Sequence, residues 1–257
     1  MIIVTDVDGT LLDDSERVPA DTFAALNKAL AAGSRLVLAT GRPPRWLSDV
    51  LSQLPVKPTC ICANGAIIYD SEYDRMDAVH TLGPKEMRSI VRAAREAIPD
   101  VTIAVERAGN SAFNPESELF VVTPDYAPTW DTDAPGMEDD DKILRIPATK
   151  LLLRHSGMTS AQMARILAGR IPTDLGYVTY SVDEGLLEVS HPGITKATGI
   201  ADLGLTPSEV IAFGDMPNDI EMLRWAGTGV AMPHAPQEVQ DAADEVGTIP
   251  EVLERLL

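Results

Sequence analysis

Two aspartates, Asp6 and Asp8, stand two residues apart directly behind the first apolar run of the chain, MIIVTDVDGT. Carboxylates so placed can attack an electrophile, move a proton or ligate a hard cation. An Asp-Gly turn closing a strand would use the same residues for structure alone, so the rest of the chain must decide. Two more polar groups follow apolar runs in the same way: Thr40-Gly41-Arg42 after residues 36–39, and Gly214-Asp215-Met216-Pro217-Asn218-Asp219 after residues 210–213.

The elements that would position these groups follow from the hydrophobic pattern. Ile2-Ile3-Val4 is a continuous β-forming run, as in a strand buried on both faces of a parallel sheet, and Gly9-Thr10 breaks it. Helices are expected over 20–32, closed by Gly33, and over 44–54, with a strand over 36–39 between them. Another run, 60–63, turns at Asn64-Gly65 and resumes over 66–69 as a hairpin. After residue 195 the alternation returns, with a helix over 196–203, a strand over 210–213, a helix over 218–226, short strands near Val230 and Val246, and a terminal helix.

This pattern is an α/β Rossmann-like core, a doubly wound parallel sheet split by an insertion. The core is assigned to 1–82 and 191–257, and an α+β block with its own strands and helices to 83–190. In such a sheet the three polar groups emerge at one edge, where open α/β sheets bind ligands. Four acids that close repel unless a divalent cation or a lysine sits among them, and oxygen ligands that leave room for water suit Mg²⁺. Lys196, opening the first helix after the insertion, is the natural partner.

Composition narrows the function. Lys plus Arg number 21 against 39 Asp plus Glu, a formal charge of -18, which disfavours nucleic acid and anionic membrane as partners. The apolar start has no basic leader and no run long enough to span a bilayer, so a cytoplasmic location is expected. Cys60 and Cys62 point to one face of a strand and read as buried thiols, and His80, His155, His191 and His234 are scattered and read as structural. The Pro- and Asp-rich stretch 124–142 reads as a mobile, solvated acidic loop, and Asp183-Glu184-Gly185 as the turn of a hairpin between 177–182 and 186–189. No feature of the sequence fixes an oligomeric state.

The motifs DVDGTLL (6–12), ATGR (39–42), NGA (64–66), LLEVSHPGITK (186–196) and GDMPNDIEML (214–223) together resemble the haloacid dehalogenase superfamily, and within it the Cof-type (class IIB) phosphatases with a large α+β cap. The resemblance covers both halves of the core. It implies that Asp6 is the nucleophile that takes up a phosphoryl group and that Asp8 is the general acid and base. It implies that Thr40, with Gly41 and Arg42, joins Lys196 and Asn218 in binding the phosphate. The Mg²⁺ ligands it implies are Asp6, Asp215 and the backbone carbonyl of Asp8, with Asp219 orienting the lysine. Such phosphatases commonly carry Gly directly after this lysine, and here Ala197 stands there.

The activity implied is Mg²⁺-dependent hydrolysis of a small phosphorylated metabolite, a sugar phosphate, through an aspartyl phosphate, with the inserted cap as a lid that selects the substrate. A phosphomutase, or a phosphatase for a glycosyl-glycerate or disaccharide phosphate, is the enzymatic alternative. A catalytically silent binding or regulatory protein is the alternative of another class, and the intact Asp6 and Asp8 argue against it.

Overall fold

The apolar runs become strands of two separate sheets in a computed structural model that describes residues 1–130, 132, 134–180, 182 and 184–257. The chain divides into two compact units, one of Met1–Ala78 with Thr195–Leu257 and the other of Val79–Ile194. The second unit starts earlier than residue 83 because Leu82 is already tied to it: its N–H donates to the Ala148 carbonyl at 2.8 Å and its carbonyl accepts from Ala148 N–H at 3.1 Å.

In chain order the elements are β1 (Ile2–Thr5), α1 (Ala20–Ala31), β2 (Arg35–Ala39), α2 (Ser48–Leu51), β3 (Thr59–Cys62), β4 (Ile67–Asp70) and β5 (Arg75–Val79). The second unit contributes α3 (Pro84–Ala97), β6 (Thr102–Glu106), α4 (Glu116–Leu119), β7 (Phe120–Val122), β8 (Gly136–Met137), α5 (Asp140–Ile143), β9 (Lys150–Arg154), α6 (Ser160–Leu167), β10 (Tyr177–Thr179) and β11 (Leu186–Ser190). The first unit resumes with α7 (Lys196–Asp202), β12 (Val210–Gly214), α8 (Ile220–Trp225), β13 (Thr228–Ala231), α9 (Gln237–Gln240), β14 (Glu245–Val246) and α10 (Ile249–Leu256).

Among the described residues the first sheet runs β14-β13-β12-β1-β2-β3-β4-β5. β1 lies between β12 and β2, parallel to both, with Thr5 level with Phe213 and Leu38. Every residue of β1 is buried, which is why its sequence is apolar without alternation. α1 buries Thr22, Ala25, Leu26 and Ala29, the i, i+3, i+4, i+7 stripe of a helix lying on a sheet. Cys60 and Cys62 on β3 are free thiols inside the core, where burial pushes both above the usual thiol range.

One sequence expectation is corrected here and another is borne out. The helix expected over 44–54 is broken into a 3₁₀ turn, Pro44–Trp46, and the short α2. Pro43 and Pro44 remove two donors at its start, and the chain takes i→i−3 bonds instead, from Trp46 to Pro43 and from Leu47 to Pro44, both 3.1 Å. The β3–β4 hairpin forms, with Ile61 opposite Ile68, but its turn holds Ala63, Asn64 and Gly65 at φ of 51°, 56° and 104°. Glycine takes that left-handed region freely and asparagine tolerates it.

The second unit has the sheet β10-β11-β9-β6-β7-β8. Alternation along its strands separates two faces. Ile103, Val105, Leu151, Leu153, Leu187 and Val189 pack with Met87, Ile90 and Ala94 of α3 and Met163 and Leu167 of α6. The opposite set, Ala104, Phe120, Val122, Leu152 and Leu186, clusters with Tyr126 and Trp130. Among the described residues of 124–142, Asp125, Asp139 and Asp141 are exposed as composition suggests, but the stretch also carries anchors that composition does not show. Tyr126 is buried, β8 pairs in parallel with β7, and Asp140 forms an ion pair with Arg95. Gly136 permits that pairing, since a Cβ there would come within 2.2 Å of the Ser117 carbonyl. β10 and β11 pair antiparallel, Tyr177 opposite Ser190, while part of the turn expected at Asp183 lies outside the described residues.

α7 carries Lys196 and is held against the β3–β4 turn through Gly199, where a Cβ would sit 2.5 Å from Ile61 Cγ2 and 3.1 Å from Gly65 Cα. Gly199→Ala is expected to destabilise the protein by about 1–3 kcal/mol, because backbone lies behind the overlap and cannot yield cheaply. Urea unfolding measures this, and an unchanged midpoint would show that α7 is free to move.

Candidate active site

The carboxyl ends of β1, β2 and β12 deliver their polar residues to one edge of the first sheet, as parallel pairing with β1 in the middle requires. Asp6 N–H still donates to the Phe213 carbonyl at 2.9 Å, so the first aspartate is fixed by the sheet ladder itself. Lys196 is the first residue of α7, whose start is set by a capping box between Thr195 and Thr198. Its ammonium is buried and donates to Asp6 Oδ1 at 2.5 Å and to Asp219 Oδ1 at 2.7 Å. Ala197, where the family commonly has glycine, is taken up in the same helix without disturbing these bonds.

Asp219 is locked from the other side: its Oδ2 accepts from the N–H groups of Asp215 at 3.1 Å and Met216 at 3.0 Å. Gly214 makes room for this, since a Cβ there would lie 2.5 Å from Asp219 Cβ. Asp215 in turn accepts from the Thr10 hydroxyl at 2.8 Å. Gly9, at φ 79°, leaves the other Asp215 oxygen open, where a Cβ would intrude to 2.6 Å.

The charges here do not balance. Asp6, Asp215 and Asp219 are all buried, each has an oxygen within 4.8 Å of the others, and Lys196 bonds only the first and last of them. Burial pushes Asp6 up to about 8, with Asp219 and Asp215 adding to the rise and the attraction of Lys196 too weak to cancel it. Burial also raises Asp215, against the pull of the Thr10 hydroxyl. Burial would lower Lys196, but Asp219 and Asp6 outweigh it and hold the ammonium above its ordinary value. A divalent cation would supply the missing charge, and an all-carboxylate donor set beside an open oxygen fits a hard one such as Mg²⁺.

The remaining residues named from sequence are placed nearby with different partners. Asp8 turns its carboxylate away from the cluster, half exposed, onto Arg42, whose Nη2 and Nε donate to Oδ1 and Oδ2 at 2.5 and 3.0 Å. Arg42 also reaches Glu16 at 3.1 Å. Thr40 is fully buried and its Oγ1 accepts from Arg42 N–H at 3.0 Å. Gly41 packs against Asn64, and the Asn64 side-chain oxygen accepts from Asn218 Nδ2 at 3.0 Å.

Three residues were not singled out from sequence for this site. Thr10 and Asn64 enter the sequence reading only within the motifs DVDGTLL and NGA and at a strand end and a turn, with no role of their own. His234, read as structural, has its Nε2 3.4 Å from Asp215 Oδ2. The signal that would have found it is positional: it follows β13, a fourth strand whose carboxyl end reaches the same edge.

A buried carboxylate–lysine centre at the carboxyl edge of an α/β sheet, interrupted in sequence by a second α+β unit, defines a class of hydrolase. The family model described as haloacid dehalogenase-like hydrolase matches residues 3–251, and the chain belongs to this family of enzymes. It is similar to the phosphoglycolate phosphatase of Methanoculleus marisnigri, 28% identical over 248 residues that cover 95% of this chain and 88% of the relative. It is also similar to the pyridoxal phosphate phosphatase YbhA of Escherichia coli, 26% identical over 255 residues, with 95% and 92% covered. Among solved structures, a phosphatase of the HAD superfamily from Bacteroides thetaiotaomicron superposes with a TM-score of 0.79 at 25% identity, covering 99% of this chain and 93% of that one. Among the described residues no helix is long and apolar enough to cross a membrane.

Replacing Lys196 leaves Asp6 and Asp219 buried without their shared cation. Lys196→Met is therefore expected to cost about 3–5 kcal/mol, the range for breaking a buried charge pair from one side. Denaturant unfolding of the metal-free protein measures it. A loss below about 1 kcal/mol, the usual worth of a surface pair, would mean that the acids take up protons freely or are solvated.

Proposed function

We propose that this protein is a Mg²⁺-dependent phosphatase that acts on a small phosphorylated metabolite, a sugar phosphate, with Asp6 as nucleophile. The observation that carries the reading is the buried bridge from Lys196 to Asp6 and Asp219 beside Asp215. The similarity to a phosphoglycolate phosphatase and a pyridoxal phosphate phosphatase supports it.

In this reading Asp6, Asp215 and the backbone carbonyl of Asp8 hold the cation, with Asp219 keeping Lys196 in place. Bound Mg²⁺ neutralises the oxygens of the phosphoryl group so that an anion can approach phosphorus. An Asp6 oxygen then bonds to phosphorus as the bond to the leaving oxygen breaks, and Asp8 gives that oxygen a proton. Water next attacks the phosphorus of the aspartyl phosphate, Asp8 takes a proton from it, and the Asp6 oxygen leaves. Thr40, Gly41, Lys196 and Asn218 bind the phosphate.

Arg42 has two tasks in this scheme. Its Nε and Nη2 hold the Asp8 side chain, which has to reach the leaving oxygen in the first step. An arriving phosphate dianion draws on the same guanidinium, which releases the Asp8 side chain toward the leaving oxygen. The unit Val79–Ile194 is proposed to select the leaving group.

The direct test is a screen of phosphorylated metabolites with Mg²⁺ and again in excess chelator. Turnover should appear only with the metal and should vanish in Asp6→Asn, which keeps the volume but removes the nucleophilic anion. Near wild-type turnover in that variant, or full activity in chelator, would reject the mechanism.

Asp8→Asn separates the second role. It should slow sugar phosphates far more than aryl phosphates, since a phenolate needs little protonation to leave; general acid catalysis is worth about 10²–10⁴-fold. Equal losses in kcat for the two substrates would remove Asp8 from leaving-group protonation.

A further inference from the structure

We propose that Glu16 is a positioning residue for phosphoryl transfer: it keeps the Arg42 guanidinium at the phosphate-binding edge when Asp8 leaves it. The inference rests on the roles proposed above for Arg42 and Asp8, and adds to them the group that holds the arginine in place.

The turn that carries Glu16 is tightly built. Asp13 N–H donates to the Arg17 carbonyl and Glu16 N–H to the Asp13 carbonyl, both at 2.9 Å. The Asp13 carboxylate closes the turn from within, its Oδ1 accepting from the N–H groups of Ser15 at 2.8 Å and Arg17 at 3.0 Å. Gln53, just past α2, braces the same segment. Its Nε2 donates to the Glu16 carbonyl at 3.1 Å, and its Oε1 accepts from Val18 N–H at 3.0 Å. The Glu16 backbone is thus fixed on both sides.

Within this turn Glu16 has a φ of 56°, the left-handed region that glycine takes freely and asparagine or aspartate tolerates. The backbone bonds need no particular side chain there, so a glycine would make the same turn with less strain. The glutamate side chain is instead directed to Arg42, with Oε1 accepting from Nη2 at 3.1 Å. It is 74% exposed, and an exposed ion pair returns little stability. Strain retained for a contact of so little stabilising worth points to a use in the site.

The guanidinium divides its donors among three directions. Nε and Nη2 hold Asp8, Nη2 also serves Glu16, and Nη1 has no partner among the described residues. Nη1 is therefore the donor open to an incoming phosphate dianion. The Asp8 side chain is half exposed and its carboxylate has no other partner among the described residues, so it is the acid free to swing away. Glu16, on its fixed backbone, stays. Nη2 then keeps one carboxylate throughout, and the arginine neither follows Asp8 nor relaxes into solvent.

Two substitutions separate reach from charge. Glu16→Asp keeps the charge and suits the left-handed backbone, but is a methylene too short. Glu16→Gln keeps the length and an oxygen that accepts from Nη2, but loses the charge. The test is steady-state hydrolysis of para-nitrophenyl phosphate by the full chain with Mg²⁺, with inorganic phosphate as competitive inhibitor and thermal unfolding as the check of fold. In Glu16→Asp the KM and the inhibition constant of phosphate should rise together about tenfold, with kcat within about twofold of wild type and no fall in unfolding temperature. Glu16→Gln should keep both constants within about threefold of wild type. An unchanged KM in Glu16→Asp would show that Arg42 needs no such hold, and an equal rise in both variants would show that Glu16 acts through its charge alone; either overturns the proposal. A wild type that hydrolysed none of the ester in Mg²⁺ would overturn the phosphatase reading, and this one with it.

Discussion

One buried ammonium faces three buried carboxylates, and the rest of the first unit is arranged around that imbalance. Lys196 lies within hydrogen-bond distance of Asp6 and Asp219, and Asp215 completes the cluster. Burial makes each unpaired charge costly, so the centre is stable only with protons, a cation or a polarised substrate to complete it. The raised Asp6 carboxyl is the mark of that state. In the proposed mechanism the group that ionises reluctantly without its cation becomes the nucleophile when the cation is bound, which links the charge imbalance of the site to its use.

Everything that holds the centre comes from short-range necessity in the fold. β1 is buried along its whole length between β12 and β2, which is why its residues are apolar up to Thr5. Its end is therefore the first place where a carboxylate can appear, and ladder pairing fixes Asp6 there. Glycines at 9, 199 and 214 are the residues that let Asp215, the β3–β4 turn and Asp219 come close enough. Lys196 reaches the cluster because its helix begins at a capped Thr195, with the lysine at the first helical position.

The sequence made most of this centre readable, because residue types such as paired aspartates behind a β-run have few structural uses that recur at three strand ends. Lys196 was readable for the same reason, as the charge that four acids lack. What escaped detection depended on contacts between distant segments. Thr10 is a small hydroxyl whose meaning comes only from Asp215, 205 residues away. His234 is a lone imidazole until β13 is laid beside β12. Composition read the exposed acids of 124–142 but not its anchors, since Tyr126, β8 and the Arg95–Asp140 pair bind the stretch to the second sheet. Periodicity misread 44–54, where two prolines chose a tighter turn than the pattern of apolar residues implied.

The central claim is that Asp6 carries the phosphoryl group during turnover. It is tested most directly by rapid quench of the full chain during steady turnover of an activated aryl phosphate with Mg²⁺, followed by reductive trapping and peptide mass mapping. A modification confined to Asp6 is the predicted result. Trapping at another residue, or no trapped species although the aryl alcohol is released in a burst, would contradict the account.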